Sequence, residues 1–280
     1  MEALKITNLC KEFKDFKLDN LNLTLPSGCI IGLIGENGAG KSTTIKLILD
    51  MIKKDSGNIM IFGKNNQEFL KLNKEDIGVV LDEIGISGCL TAKEIGKIMK
   101  YSFNKWEDET FNNYLSKLNI PMDKMFKDFS RGMKMKLQIA IALSHQAKLL
   151  ILDEPTSGLD PVIRDEVINI FNEFTRDENH SILISSHIVS DLEKLCDYIA
   201  FLHKGKLLLF EEKDVLFEKY GIIHVTPYEL RQINKKAIIG KKESVYGTEL
   251  IVKRDSIPSG FEINPISIEE LFVFMAKENI

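Results

Sequence analysis

The stretch that most constrains this chain is Gly35-Glu36-Asn37-Gly38-Ala39-Gly40-Lys41-Ser42-Thr43, set between two apolar segments of different period. Before it, Cys29-Ile30-Ile31-Gly32-Leu33-Ile34 is a short apolar, β-branched run that reads as a buried strand. After it, Thr44-Ile45-Lys46-Leu47-Ile48-Leu49 has the spacing of an amphipathic helix. Glycines between a strand and a helix let successive backbone N–H groups turn inward toward an anion, and the helix N-terminus adds its partial positive charge. In the spacing G-x-x-x-x-G-K-[ST], Lys41 reaches the outer phosphates of a nucleotide and the Ser42 hydroxyl ligates magnesium. The bland alternative is a glycine-rich turn, and the strand before it and helix after it argue against that.

The rest of the chain bounds the partners. A length of 280 residues suits one large domain, or one domain with a small appendage. With 44% hydrophobic and 28% charged residues, the composition is that of a globular protein, free of repeats and low-complexity tracts. A net charge of -4 speaks against a nucleic-acid partner, which calls for a basic face. No apolar run approaches the ~20 residues of a membrane-spanning helix, and Met1-Glu2-Ala3-Leu4-Lys5 opens no secretory segment, so a cytosolic protein is expected. Cys10, Cys29, Cys89 and Cys196 are scattered without metal-ligand spacing and read as reduced structural thiols.

Taken in order, Leu4 to Leu9 and Leu21 to Leu25 alternate apolar and polar positions, the pattern of an antiparallel edge ahead of the phosphate-loop strand. Phe13 and Phe16 lie between them, where a ring could stack on a base or simply cap the strands. Ile77 to Leu81 is another buried strand, ending in Asp82-Glu83. From Thr91-Ala92-Lys93-Glu94, a capping box, the period turns helical, and residues from about 84 to 147 read as a helical subdomain inserted between two strands. Near its end, Ser130 can cap the next helix and Gly132 allows close backbone approach to an anion.

Leu149-Leu150-Ile151-Leu152 then runs into Asp153-Glu154: a strand buried on both faces whose end delivers two carboxylates toward the phosphate loop. Asp153 can hold magnesium, and Glu154 can orient or deprotonate an attacking water. Pro155 to Pro161 is a turn containing Asp160. A further strand, Ser181 to Ser186, ends at His187, whose neutral ring could donate to a γ-phosphate oxygen. A helix and a hairpin-like pair close the core, and residues 221 to 280 read as a small α+β appendage.

Together, over roughly residues 2 to 220, these motifs resemble the ATP-binding cassette (ABC) ATPases, the nucleotide-binding subunits of ABC transporters. The resemblance implies an α/β P-loop core of ABC type with an antiparallel β edge, a helical subdomain and a domain spanning residues 1–220, followed by an accessory region at 221–280. It implies that ATP is held by Phe13, Gly35, Asn37, Gly38, Gly40, Lys41, Ser42 and Thr43, with Phe16 as the other stacking candidate. Magnesium would be held by Ser42 and Asp153, with Asp82 a further candidate ligand. Glu154 would be the catalytic glutamate, His187 the switch histidine, and Asp160 part of the D-loop. Ser130 and Gly132 would contact the γ-phosphate bound on an opposite subunit. Two departures stand out: Phe129-Ser130-Arg131-Gly132-Met133 where the family has Leu-Ser-Gly-Gly-Gln, and Asp82 at the Q-loop glutamine, with Glu83 able to share its role.

The implied protein is an ATPase peripheral to the inner face of the cell membrane. It pairs with itself or with a similar cassette and drives a separate polytopic permease. The ending of the chain resembles exporter ATPases paired with ABC-2-type permeases. Two rival classes are less consistent with the sequence. A soluble ABC-type ATPase acting on DNA or ribosomes would carry a coiled coil or a second cassette, and a P-loop small-molecule kinase would lack the motifs at Ser130, Asp160 and His187.

Overall fold

The aliphatic runs pack side by side. The computed structural model describes residues 1–82, 85–244 and 247–278, so Glu83 lies outside the described residues. It opens with β1 (Glu2–Glu12), β2 (Lys17–Pro26), β3 (Ile30–Ile34), α1 (Lys41–Ile48), β4 (Ser56–Ile61), β5 (Lys64–Asn65) and α2 (Asn66–Asn73). β6 (Ile77–Val80) leads to three helices, α3 (Ala92–Ser102), α4 (Asp108–Lys117) and α5 (Arg131–Ala142). Next come β7 (Leu149–Asp153), α6 (Pro161–Phe174), β8 (Ser181–Ser186), α7 (Val189–Leu195), β9 (Tyr198–His203) and β10 (Lys206–Glu212). The chain ends with α8 (Lys213–Lys219), β11 (Tyr220–Val225), α9 (Pro227–Leu230), β12 (Ile238–Ser244), β13 (Gly247–Lys253) and α10 (Ile268–Glu278).

Six strands form one sheet in the order β10-β9-β3-β8-β7-β6. Its strands are parallel except β10, which pairs antiparallel with β9. Every residue of β3, β7 and β8 is buried, as expected of strands covered on both faces. Because the strands run the same way, the C-terminal ends of β3, β6, β7 and β8 meet at one edge. That edge carries the phosphate loop, Asp82, Asp153-Glu154 and His187.

The antiparallel pair stands apart from this edge. β1 and β2 belong to a second sheet, ordered β2-β1-β4-β5, rather than extending the parallel one. The physical reason is their one-sided pattern. Leu4, Ile6 and Leu9 with Leu21, Leu23 and Leu25 make a single apolar face, which is buried against Ile31, Leu33, Ile45 and Leu47 on one side of the parallel sheet. The opposite side of the parallel sheet, with Ile182, Ile184 and Phe201, packs against residues of the helical subdomain, α6 and α7.

The helical stretch begins where the capping box predicts. Thr91 Oγ1 accepts from Glu94 N at 3.2 Å, and Glu94 Oε2 accepts from Thr91 N at 2.9 Å. Among the described residues from 85 to 147 there is no strand, only a single bridge between Thr91 and Met125. Past β10, β11-β13-β12 form a three-stranded antiparallel sheet with its own small core of Ile223, Val225, Ile233, Leu250 and Val252. α10 does not stay with that sheet alone. Ile268, Leu271 and Phe272 enter the larger core, and the Phe272 ring meets Phe201 edge-on at 5.4 Å.

Candidate functional site

The phosphate loop is shaped by two left-handed glycines, Gly38 at φ 83° and Gly40 at φ 111°. A Cβ on Gly40 would also lie 2.8 Å from Phe16 Cζ. No side chain caps α1, so its first-turn N–H groups face the cleft with the helix dipole behind them. Lys41 is only 6% exposed. Its Nζ donates to the Gly35 carbonyl at 2.7 Å and the Glu36 carbonyl at 3.4 Å, and stands 3.4 Å from Glu154 Oε1. A buried ammonium needs such partners, and a bound anion would supply a better one.

β7 and β8 deliver the acidic half. Asp153 is 5% exposed, and its Oδ1 accepts from Ser185 Oγ at 2.5 Å. Glu154 sits at φ 53°, unusual for a residue with a side chain, and its N–H donates to the Ser185 carbonyl at 3.1 Å. That turn places the Glu154 carboxylate between two cationic or polar groups. Oε1 faces Lys41, while Oε2 is 2.6 Å from His187 Nδ1 and accepts from His187 N at 3.3 Å.

These groups line one cleft of about 940 Å³, a size that suits a nucleotide. Phe13, Asn37, Gly38, Gly40, Ser42, Thr43 and Asp82 also line it, while Gly35 lies under the loop as the Lys41 acceptor. Phe13 is 45% exposed and offers its ring to the cleft. Phe16 lines the cleft as well; it is half-buried, with its ring end against Gly40 and its centroid 6.3 Å from that of Phe13.

Three sequence-selected residues are not brought into this cleft. Ser130 caps α5 by accepting from Met133 N at 3.2 Å, Gly132 packs beside Gly158 and Leu159, and Asp160 caps α6 by accepting from Ile163 N at 3.1 Å. Arg131 does enter it: Nη2 donates to Asp82 Oδ1 at 2.6 Å.

The sequence profile of the ABC transporter family matches residues 18–157, a span that runs from β2 through the phosphate loop and Asp153-Glu154. The chain belongs to this family. It is an ATP-binding cassette and an ATPase. The bacitracin transport ATP-binding protein of Bacillus licheniformis is 40% identical over 211 residues, covering 73% of this chain and 68% of that protein. The lantibiotic transport ATP-binding protein of Streptococcus pyogenes is 40% identical over 214 residues, covering 75% and 91%. A solved ATP-binding subunit of an ABC transporter superposes with a TM-score of 0.68 at 26% identity, over 76% of this chain and 91% of that one.

The lining of the cassette's cleft bears on its cofactor. Asp15, Glu36, Asp82, Asp153 and Glu154 stand against the cations Lys41 and Arg131. A polyphosphate alone would add negative charge to this excess of carboxylates, so an accompanying cation fits the chemistry of the site. The donors are hard oxygens, as magnesium prefers. Among the described residues no three or more His, Cys, Asp or Glu are arranged to hold a metal ion by themselves.

Sequence reasoning passed over Ser185 and Gln138, and noted Arg131 only as a departure in the signature loop, without its pairing to Asp82. Ser185 left a faint signal, a hydroxyl at the end of an otherwise aliphatic strand. The four cysteines are free thiols, and burial pushes that of Cys196 far above its ordinary range, as befits a structural residue.

Proposed function

We propose that this cassette powers export through a separate membrane permease, hydrolysing ATP in composite sites shared between two cassettes. The observation that carries the reading is the Glu154 carboxylate held between Lys41 and His187 at the mouth of the phosphate loop. In the proposed reaction Glu154 orients water and accepts its proton as the oxygen bonds to the γ-phosphorus, the bond from that phosphorus to the β,γ-bridging oxygen breaks and ADP leaves with that oxygen, and His187 donates a hydrogen bond to the γ-phosphate. Lys41 and the loop N–H groups bind the β- and γ-phosphates, and Phe13 stacks on the base. Ser42 and Asp153 are the residues that would hold magnesium, with Asp82 within the same cleft. Bound magnesium would neutralise charge on the phosphates.

Pairing is supported by what the single cleft lacks. Ser130 and Gly132 lie outside it, and a head-to-tail partner would bring its own copies of them to the γ-phosphate. Loss of that phosphate then removes the charge-assisted contacts that hold the pair together. Export is supported by the bacitracin and lantibiotic transport relatives. Among the described residues no helix is long and apolar enough to cross a membrane, so we assign the transport path to a partner chain and place this one against the inner membrane face.

Size-exclusion chromatography of Glu154→Gln with magnesium-ATP tests the reading. The variant should retain ATP, shift from single chain to pair, and lose hydrolysis by about 10²- to 10⁴-fold. A variant that binds ATP but stays single would overturn self-pairing. Hydrolysis at the unmodified rate would overturn the role of Glu154.

A further inference from the structure

His203 closes β9 with only 4% of its surface exposed, and neither of its ring nitrogens has a hydrogen-bond partner. A buried imidazole costs free energy when its nitrogens are unbonded, and a leucine would fill the position without that cost. Among the described residues the carboxylate nearest the ring is that of Glu36. Its Oε2 stands 3.8 Å from His203 Nδ1, beyond hydrogen-bond reach.

The backbones on both sides of this gap are fixed. Gly205 N donates to the Ala39 carbonyl at 3.0 Å, and Asp19 N donates to the Gly205 carbonyl at 2.8 Å, so the turn after His203 is tied to the phosphate loop and to β2. The Glu36 carbonyl accepts from Ala39 N at 3.0 Å and from Lys41 Nζ at 3.4 Å. What is free is the Glu36 side chain. It is 61% exposed, and among the described residues its carboxylate accepts no hydrogen bond.

Glu36 also lines the nucleotide cleft. A polyphosphate entering there sets negative charge beside a carboxylate, and that repulsion opposes binding. Moving the carboxylate about 1 Å toward His203 brings Oε2 within charge-assisted hydrogen-bond distance of Nδ1. One side-chain turn then relieves the repulsion and gives the buried ring its missing partner.

We propose that His203 is a positioning residue of the phosphate loop. When nucleotide fills the cleft, the neutral ring, with its proton on Nδ1, takes up the Glu36 carboxylate and holds that charge away from the phosphates. The cost of the unbonded imidazole falls on the empty chain and is relieved in the loaded one, so the pair adds to nucleotide affinity. This inference rests on ATP binding by the loop and is independent of export and of pairing between cassettes.

A double-mutant cycle on the full chain tests it, read as the affinity for a fluorescent ATP analogue with magnesium. His203→Leu should weaken binding about tenfold where Glu36 is present, the worth of a hydrogen bond to a charged group, and by less than about twofold where Glu36→Ala has removed the carboxylate. Equal losses in the two backgrounds would make His203 a packing residue and overturn the proposal, as would no loss in either. His203→Asn keeps an N–H donor near the place of Nδ1 and should recover most of the affinity. Binding as weak as that of His203→Leu would count against the proposal.

Should His203→Leu fail to fold, nitrogen NMR of the imidazoles decides on the unmodified ring. Saturation with magnesium and a non-hydrolysable ATP analogue should move the His203 Nδ1 resonance in the direction of a hydrogen-bonded N–H, and Glu36→Ala should abolish that movement. A resonance unmoved by nucleotide, or moved equally in Glu36→Ala, would overturn the proposal.

Discussion

Gly38 and Gly40 show how differently two glycines of one loop can matter. Both are left-handed, but a Cβ on Gly38 would meet nothing within 4 Å, whereas one on Gly40 would strike Phe16. Gly38→Ala therefore carries only the backbone cost of about 1–2 kcal/mol. Gly40→Ala adds a clash that either moves the Phe16 ring or opens the loop. Equilibrium titration with a fluorescent ATP analogue should find about tenfold weaker binding for Gly38→Ala, and a larger loss for Gly40→Ala. Equal losses would show that Phe16 yields without consequence. The same scale explains why Phe13 and Phe16 look alike in sequence: both are aromatics in one loop that line the same cleft, and only the structure shows one exposed and the other half-buried against Gly40.

Among the elements, the helical insertion joins the sheet through a buried histidine. His145 Nδ1 donates to the Glu75 carbonyl at 2.9 Å, and its ring stacks on Phe103 with centroids 4.2 Å apart. Burial holds its pKa below the ordinary 6.5, although Glu75 and Asp76 nearby pull the other way. The folded chain thus keeps His145 neutral where the unfolded chain takes up a proton. Its contribution to stability is complete above about pH 6.5 and declines as pH falls below it. Thermal melts between pH 7.5 and 5.5 should show this loss, and His145→Gln should flatten that part of the slope despite a lower midpoint throughout. The element scale was also the most legible in sequence. The capping box at Thr91, the aliphatic runs of β3, β7 and β8, and the start of α5 after Ser130 all depend on neighbours within a few positions.

Across the whole molecule, α10 fastens the end of the chain to the catalytic core. Its first N–H, at Ile268, donates to Glu193 Oε1 of α7 at 2.7 Å, and Ser267 Oγ accepts from Glu270 N at 3.2 Å. α7 starts two residues after His187, so the terminal helix braces the element that follows the histidine. Phe272→Ala would leave a cavity against Phe201 and cost about 3 kcal/mol. Urea denaturation should register this, while single-chain ATP affinity, set by the residues at the C-terminal edge of the sheet, stays within about twofold. Loss of binding in a folded variant would mean that α10 reaches the phosphate loop as well.

The amino-acid sequence by itself determined the phosphate loop, the buried strands and the residues at their C-terminal ends, because each is written in local spacing and composition. Parallel strands with helical crossovers then bring those ends to one edge. Only the tertiary structure decided the rest. It paired Arg131 with Asp82 across 49 positions and Gln138 with Leu81 across 57. It set β1 and β2 on a second sheet with β4 and β5, kept Ser130, Gly132 and Asp160 out of the single-chain cleft, and returned α10 to the larger core. Contacts between distant residues leave no periodic trace in a sequence; they exist only once the apolar faces have chosen their partners.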